Sequence, residues 1–273
     1  MKSITYALGA DASAARRLEI QDAQFAAISE RLLDRLNVQP ADRVLELGIG
    51  AGSFSRRIVR RLGSQGTFVG VDYSQGLLDQ AKQNLAAESQ ARLQFVLSDI
   101  QAVGELAAKA DVLAARTVLH HLAFPEVLLG KLRRVLRPGA RMGFIEPEFR
   151  VPIARLAALE DAGRTELAPL RRWAEGISRY YQRCDLAPNI GATLARTLEL
   201  AGYRRVESEW FECPHDAAAI ENMLLYYQEI REKYVSLGVM TSAEIDEDQR
   251  LLASLSTDNL PAVWGMYCVT CEA

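Results

Sequence analysis

Glu46-Leu-Gly48-Ile-Gly50-Ala-Gly52 follows an apolar run, Arg43 to Leu47, and opens a helical pattern, Ser53 to Leu62. A strand that ends in alternating glycines puts bare backbone where a ligand can approach closely. Twenty residues beyond Gly52, Asp72 closes the next apolar run, Thr67 to Val71. An acid placed there can accept hydrogen bonds from both hydroxyls of a ribose. A dinucleotide site wants G-x-G-x-x-G, with the pyrophosphate on the helix N-terminus. Counted from Gly48, the last of those positions is Ser53, which departs from the pattern.

Outward from this stretch, short apolar runs and helical patterns alternate. Leu93 to Leu97, Asp111 to Ala115 and Arg141 to Ile145 read as further strands. Gln75 to Glu88 and Pro125 to Leu136 read as helices, the second stopped by Arg137-Pro138-Gly139. Such alternation implies βαβ units and a parallel sheet. Near-continuous apolar strands agree, because they are covered on both faces. Tyr203 to Phe211 and Ala262 to Val269 lack that spacing and are expected to run antiparallel at one edge. Helical patterns also cover Ala12 to Leu36, Pro152 to Gln182, Ile190 to Ala201, Asp216 to Leu237 and Thr241 to Leu255.

The expected fold is α/β: a doubly wound, Rossmann-like, seven-stranded, mostly parallel sheet with an antiparallel edge strand and helical cap and lid insertions. Residues 1–40 form the cap, 41–147 the nucleoside-binding core and 148–188 a lid. Residues 189–273 complete the sheet, with a helical insertion over 214–256. The lid stretches are expected above the carboxyl ends of the strands, where an open α/β sheet binds its ligand.

Composition narrows the function. The chain has 273 residues, of which 49% are hydrophobic and 25% charged, and a net charge of −3. Its arginine pairs (Arg16-Arg17, Arg56-Arg57, Arg60-Arg61, Arg133-Arg134, Arg171-Arg172) are scattered, so no basic face for nucleic acid is expected. No signal peptide is expected from the opening residues, and no apolar run approaches the roughly 20 residues of a membrane span. A soluble, cytoplasmic protein follows as the expectation, as monomer or homodimer. Cys268-Val-Thr-Cys271 sits in a strand-like run, where residues three apart face opposite sides. With Cys184 and Cys213 these are expected as free thiols, and no metal is expected.

Read together, E-x-G-x-G-x-G, Val71-Asp72-Tyr73-Ser74, Asp99 after the third strand, Val118-Leu-His120-His121-Leu122 and Leu136-Arg-Pro-Gly139 resemble the motifs of class I S-adenosylmethionine-dependent methyltransferases. The resemblance covers about residues 40 to 147. It implies S-adenosylmethionine as cofactor and S-adenosylhomocysteine as product, with the final strand inserted between the fifth and sixth. Carried over residue by residue, it places Glu46, Gly48, Gly50 and Gly52 in the loop at the methionine half, and Asp72 on the ribose. Tyr73 lies against the adenine, Asp99 accepts from its amine, the Ile100 backbone donates, and Arg116 stands near the methionine end through its backbone. Each has a plainer reading: Asp99 as a helix cap, Tyr73 as packing, Glu46 as a structural acid near the loop.

No N-P-P-Tyr or D-P-P-Tyr tetrad and no Pro-Cys nucleophile follows the fourth strand, which argues against nucleic-acid and glutamine methylation. What remains resembles the small-molecule branch of quinone-biosynthesis and natural-product enzymes. Tyr6-Ala-Leu-Gly9 resembles its N-terminal cap, and Tyr6, Phe149, Trp173, Tyr180, Tyr181, Tyr226 and Tyr227 are candidates to line an apolar substrate chamber. Helix packing is the competing reading for any one of them.

The electrophile is already activated in this chemistry, so holding a nucleophile in line is the main task. Neighbouring fourth and fifth strands, about 4.8 Å apart, would bring a histidine of the His120-His121 pair to Glu146. One histidine, preferably His120, could then take a proton; positioning without a base is the rival. Two other classes stay open: an enzyme of this fold that does not methylate, such as a cyclase, and a non-catalytic cofactor-binding subunit.

Overall fold

Val44, Leu45 and Leu47 are buried on both sides of the first strand, as suits a strand in the interior of a parallel sheet. The computed structural model describes residues 12–258 and 260–273. The strands are β1 Arg43–Leu47, β2 Thr67–Asp72, β3 Arg92–Leu97, β4 Val112–Arg116, β5 Arg141–Pro147, β6 Arg204–Glu212 and β7 Gly265–Glu272. The helices are α1 Ala12–Gln24, α2 Ala26–Arg35, α3 Ser53–Val59, α4 Gln75–Leu85, α5 Gly104–Ala107 and α6 Pro125–Val135. They continue as α7 Arg150–Asp161, α8 Ala168–Arg183, α9 Ile190–Leu200, α10 Ala217–Ser236 and α11 Ser242–Ser254.

The chain divides into two compact units. The sheet unit holds Phe25–Glu148, Asn189–Phe211 and Met266–Ala273. Its strands run in the order β3-β2-β1-β4-β5-β7-β6. β1 pairs parallel with β2 and β4, β2 with β3, and β4 with β5. β7 pairs antiparallel with β5, with Cys268 opposite Ile145 and Cys271 opposite Met142. Arg205 bonds Glu272 at 2.9 Å, while Trp210 packs on Tyr267 farther along. These contacts run in opposite senses on the two strands, so β6 is antiparallel to β7. The seven-stranded, mostly parallel sheet is therefore as expected, including the final strand between the fifth and sixth.

Of the described residues, the helical unit holds 12–24, Phe149–Pro188 and Glu212–Gly265. Trp173, Tyr180, Tyr181, Tyr226, Tyr227 and Tyr234 are buried at its centre. Asp248, itself buried, ties three helices: it accepts from Arg172 Nε at 2.6 Å and from the Tyr227 hydroxyl at 2.9 Å. Thr241 and Glu244 form a reciprocal cap at the start of α11, which fixes its first turn.

Several boundaries differ from the sequence expectation. The single helix expected over Ala12 to Leu36 breaks at Phe25, whose ψ of 9° leaves the helical region. The one expected over Pro152 to Gln182 is α7 and α8, parted at Gly163, with Pro169 in the first turn of α8. Both breakers were present in the sequence, but apolar periodicity ran through them. The final strand starts at Gly265 and runs to Glu272, rather than spanning Ala262 to Val269.

Candidate active site

The glycine loop leaves β1 and is pinned to the end of β2. The amides of Gly48 and Ile49 both donate to the Val71 carbonyl, at 2.8 and 3.1 Å. Gly48 has φ of +65°, and a Cβ there would lie 2.6 Å from Val118 Cγ2. Gly50 has φ of +53°, yet nothing stands within 4 Å of where its Cβ would be. The first glycine is thus required by the protein itself. The second faces open space, the condition a loop must meet to take a ligand against its backbone.

Asp72 ends β2 with 5% exposure. Its Oδ2 accepts from the Gly50 amide and its Oδ1 from the Ser74 amide, each at 2.9 Å. Burial pushes its carboxyl above the usual carboxylate range, and the Ser74, Gly50 and Tyr73 amides pull it back. Each oxygen spends one lone pair on these amides, and the geometry suits two vicinal hydroxyls as further donors. Tyr73 is 46% exposed. Asp99 caps the short turn Ile100–Ala102 through the Gln101 amide at 2.8 Å, so the plainer reading of this acid holds. It is exposed, so capping leaves it able to accept from another donor. Glu46 is buried in β1, paired in register with Gly70 and Ala114.

At the end of β4, Arg116 turns its side chain toward the glycine loop. It donates to Ser29 at 3.1 Å and to Ser53, the residue after Gly52, at 2.9 Å. The guanidinium stands 5.1 Å from the Phe54 ring centroid. The backbone role expected for Arg116 therefore omitted its side chain, which braces α2 and α3.

Thr117 follows with φ of +56°, rare for a β-branched residue. Its amide donates to the Ile145 carbonyl at 2.8 Å and its hydroxyl to the Arg116 carbonyl at 2.7 Å. Nothing in the sequence marks Thr117, because no residue preference announces a β-branched side chain in that region.

The strained corner points the next three amides at one carboxylate. Glu146, 0% exposed at the end of β5, accepts from Val118 N at 2.9 Å, Leu119 N at 2.7 Å and His120 N at 3.2 Å. His120 Nδ1 lies 2.8 Å from Glu146 Oε2. Glu146 is the acceptor for all three amides, and with the carboxylate also accepting from the ring, Nδ1 is the donor of that bond. Any proton the ring takes up then goes to Nε2. His121 stacks beside it, ring centroids 4.0 Å apart.

The family described as "Methyltransferase domain" matches residues 39–175, half of the chain. The chain belongs to this methyltransferase family. The expected S-adenosylmethionine-dependent methyltransferase stands with it. An aklanonic acid methyltransferase from a Streptomyces strain is 25% identical over 226 residues, covering 78% of this chain and 96% of that one. A 2-phytyl-1,4-naphthoquinone methyltransferase from Trichormus variabilis is 31% identical over 109 residues, covering 40% of this chain. The chain spans 48% of that relative's length and 34% of a transposon protein from Streptomyces fradiae. Among solved structures, the cyclopropane synthase MmaA2 from Mycobacterium tuberculosis shares the fold. Its TM-score is 0.57 at 12% identity, with 91% of this chain and 84% of that one covered.

Within this methyltransferase, every candidate so far lies in the sheet unit. Phe149, Trp173, Tyr180, Tyr181 and Tyr226 belong to the helical unit, where they pack as one buried cluster with Trp264 and Tyr234. Helix packing is thus real for each of them. Tyr6 lies outside the described residues. No group of three or more His, Cys, Asp or Glu side chains gathers as a metal site among the described residues. The four cysteines are free, and no described helix is long and apolar enough to cross a membrane.

Proposed function

We propose that the chain moves the methyl of S-adenosylmethionine to an O, N or C nucleophile of a small biosynthetic molecule, with His120 as proton acceptor. The carrying observation is the Glu146 carboxylate, which holds the β4 corner and the His120 ring together. The cofactor supplies a sulfonium-bound, electrophilic methyl. Asp72 takes the ribose hydroxyls, Gly50 gives the backbone room beside it, and Asp99 and Tyr73 receive the adenine end.

His120 Nε2 takes the acceptor's proton as the acceptor's lone pair attacks. Glu146 stabilises the resulting imidazolium without giving up its own charge. Fixed by three amides, the carboxylate does not reorganise during the step. We place the reaction in the cytoplasm, on a small molecule rather than nucleic acid, in a monomer or homodimer. The free thiols and scattered arginines support that placement.

The test is incubation with methyl-labelled S-adenosylmethionine and a panel of phenolic, amine and carbon acceptors. Label in an acceptor with equimolar S-adenosylhomocysteine is expected. Product formed while S-adenosylmethionine stays intact would instead favour a cyclase of this fold.

A further inference from the structure

Thr117 joins the end of β4 to the His120 corner, and the backbone turns there with φ of +56°. The other described non-glycine residues with positive φ are Asn37, Asp185 and Arg205, so Thr117 alone among them is β-branched.

The conformation is held from both sides within the sheet unit. Before it, the Arg116 guanidinium is anchored to Ser29 at 3.1 Å and to Ser53 at 2.9 Å. After it, Val118 packs on the glycine loop so closely that a Cβ on Gly48 would lie 2.6 Å from its Cγ2. Rotation about the one N–Cα bond between these anchors decides where the next residues go. At φ of +56° the amides of Val118, Leu119 and His120 reach the Glu146 carboxylate at 2.9, 2.7 and 3.2 Å. The same carboxylate takes His120 Nδ1 at 2.8 Å. At an ordinary negative φ these amides would turn away from Glu146, and the ring with them.

A turn chosen for stability alone would carry glycine, which enters this region without strain. Threonine adds what glycine lacks. Its hydroxyl donates to the Arg116 carbonyl at 2.7 Å. The N–H of that same peptide group donates to the Ile145 carbonyl on β5 at 2.8 Å. The peptide plane is therefore tied at both its polar ends, immediately before the turn. A β-branched side chain has few χ1 rotamers, so the hydroxyl stays in place. Strain of this kind persists where the surrounding structure over-determines it, and it gathers at functional sites.

We propose that Thr117 is a positioning residue for the methyl transfer. Its hydroxyl fixes the plane of the Arg116–Thr117 peptide, and the left-handed turn that follows aims the His120 ring held by Glu146. Thr117 acts through His120 and touches no reacting atom. The assignment rests on the reading of His120 as proton acceptor.

Three variants separate hydroxyl from turn. Thr117→Gly takes the turn without strain and loses the hydroxyl. Thr117→Val keeps the branch and loses the hydroxyl. Thr117→Ser keeps the hydroxyl without the branch. Two quantities are read on the full chain: kcat with a methylated acceptor, and the proton resonance of His120 Nδ1–H in protein carrying isotope-labelled histidine. The resonance is assigned by its loss in His120→Ala. The Gly and Val variants should turn over about tenfold or more slower, with the Nδ1–H signal broadened or lost, while S-adenosylhomocysteine binds within about threefold of the parent. Thr117→Ser should restore the signal and bring kcat within about threefold of the parent. If Thr117→Val does not fold, Thr117→Gly carries the test. A Gly variant with parent signal and parent turnover overturns the proposal, because the turn alone is then enough. A Ser variant as impaired as the Gly variant overturns it too. Parent turnover in His120→Ala overturns the proton-acceptor reading instead, and the Nδ1–H signal, which needs no acceptor, still decides whether Thr117 sets the ring.

Discussion

His120 Nδ1 and Glu146 Oε2 lie 2.8 Å apart across the neighbouring strands β4 and β5, and the same carboxylate accepts the backbone amide of His120. Ring and backbone of one residue are thus held by one acid. This leaves the imidazole little freedom and fixes which nitrogen bears the hydrogen. A base so fixed gives distinct results on removal of the ring, of the charge, or of the loop beside it.

His120→Ala should lower kcat about 10²- to 10⁴-fold while S-adenosylmethionine still binds. The deficit should shrink at high pH, where the acceptor ionises unaided. Near-normal turnover at neutral pH would leave positioning alone as the mechanism.

Glu146→Gln should both slow turnover and cost about 3 kcal/mol of stability, measured by urea unfolding. An amide offers one oxygen and turns an NH2 group toward the amides that Glu146 now accepts from at Val118, Leu119 and His120. A stable Gln variant with slow turnover would mean that the acid only orients the ring.

Gly48→Ala and Gly50→Ala should fail differently. At Gly48 the added Cβ meets Val118 Cγ2 at 2.6 Å, in a β-branched side chain that cannot swing aside. With the left-handed φ this should cost about 2–4 kcal/mol of stability, partly recovered when Val118→Ala is added. At Gly50 only the φ cost of about 1–2 kcal/mol applies, since no atom stands within 4 Å. Affinity for S-adenosylhomocysteine should nevertheless fall at least about tenfold. Unchanged affinity in a folded Gly50→Ala variant would remove this glycine from the cofactor site.

Native alkylation with iodoacetamide near pH 8 should modify Cys184 and spare the other cysteines. Burial pushes the Cys213 and Cys271 thiols up to about 12 and Cys268 up to about 11. The reactive thiolate is therefore scarce at those sites, whereas Cys184 is half-buried. Mass spectrometry showing rapid modification of Cys268 or Cys271 would contradict the closed packing around the β5–β7 pair.

The placement of the candidate cofactor residues was legible in the sequence because its signals are local. Gly48, Gly50 and Asp72 follow from strand ends and spacing, and His120 with Glu146 from the neighbouring of two strands. What was not legible depends on tertiary context. Thr117 takes a conformation that its side chain disfavours. Arg116 finds Ser29 and Ser53 through folding alone. Arg17 and Glu229 are ordinary surface residues by type and meet only because α1 lies along α10. Gly163 and Pro169 could have divided the long helical stretch, had turn residues outweighed apolar periodicity.

The central assignment, a nucleoside cofactor held at Asp72, is tested by calorimetry of S-adenosylmethionine binding to Asp72→Ala. Two ribose hydroxyls lose an ionised partner, and the Gly50 and Ser74 amides lose the acceptor that shapes the loop. The expected result is a 10- to 100-fold weaker dissociation constant, about 1.5–3 kcal/mol, in a variant that remains folded. An unchanged dissociation constant would contradict the assignment of the whole motif.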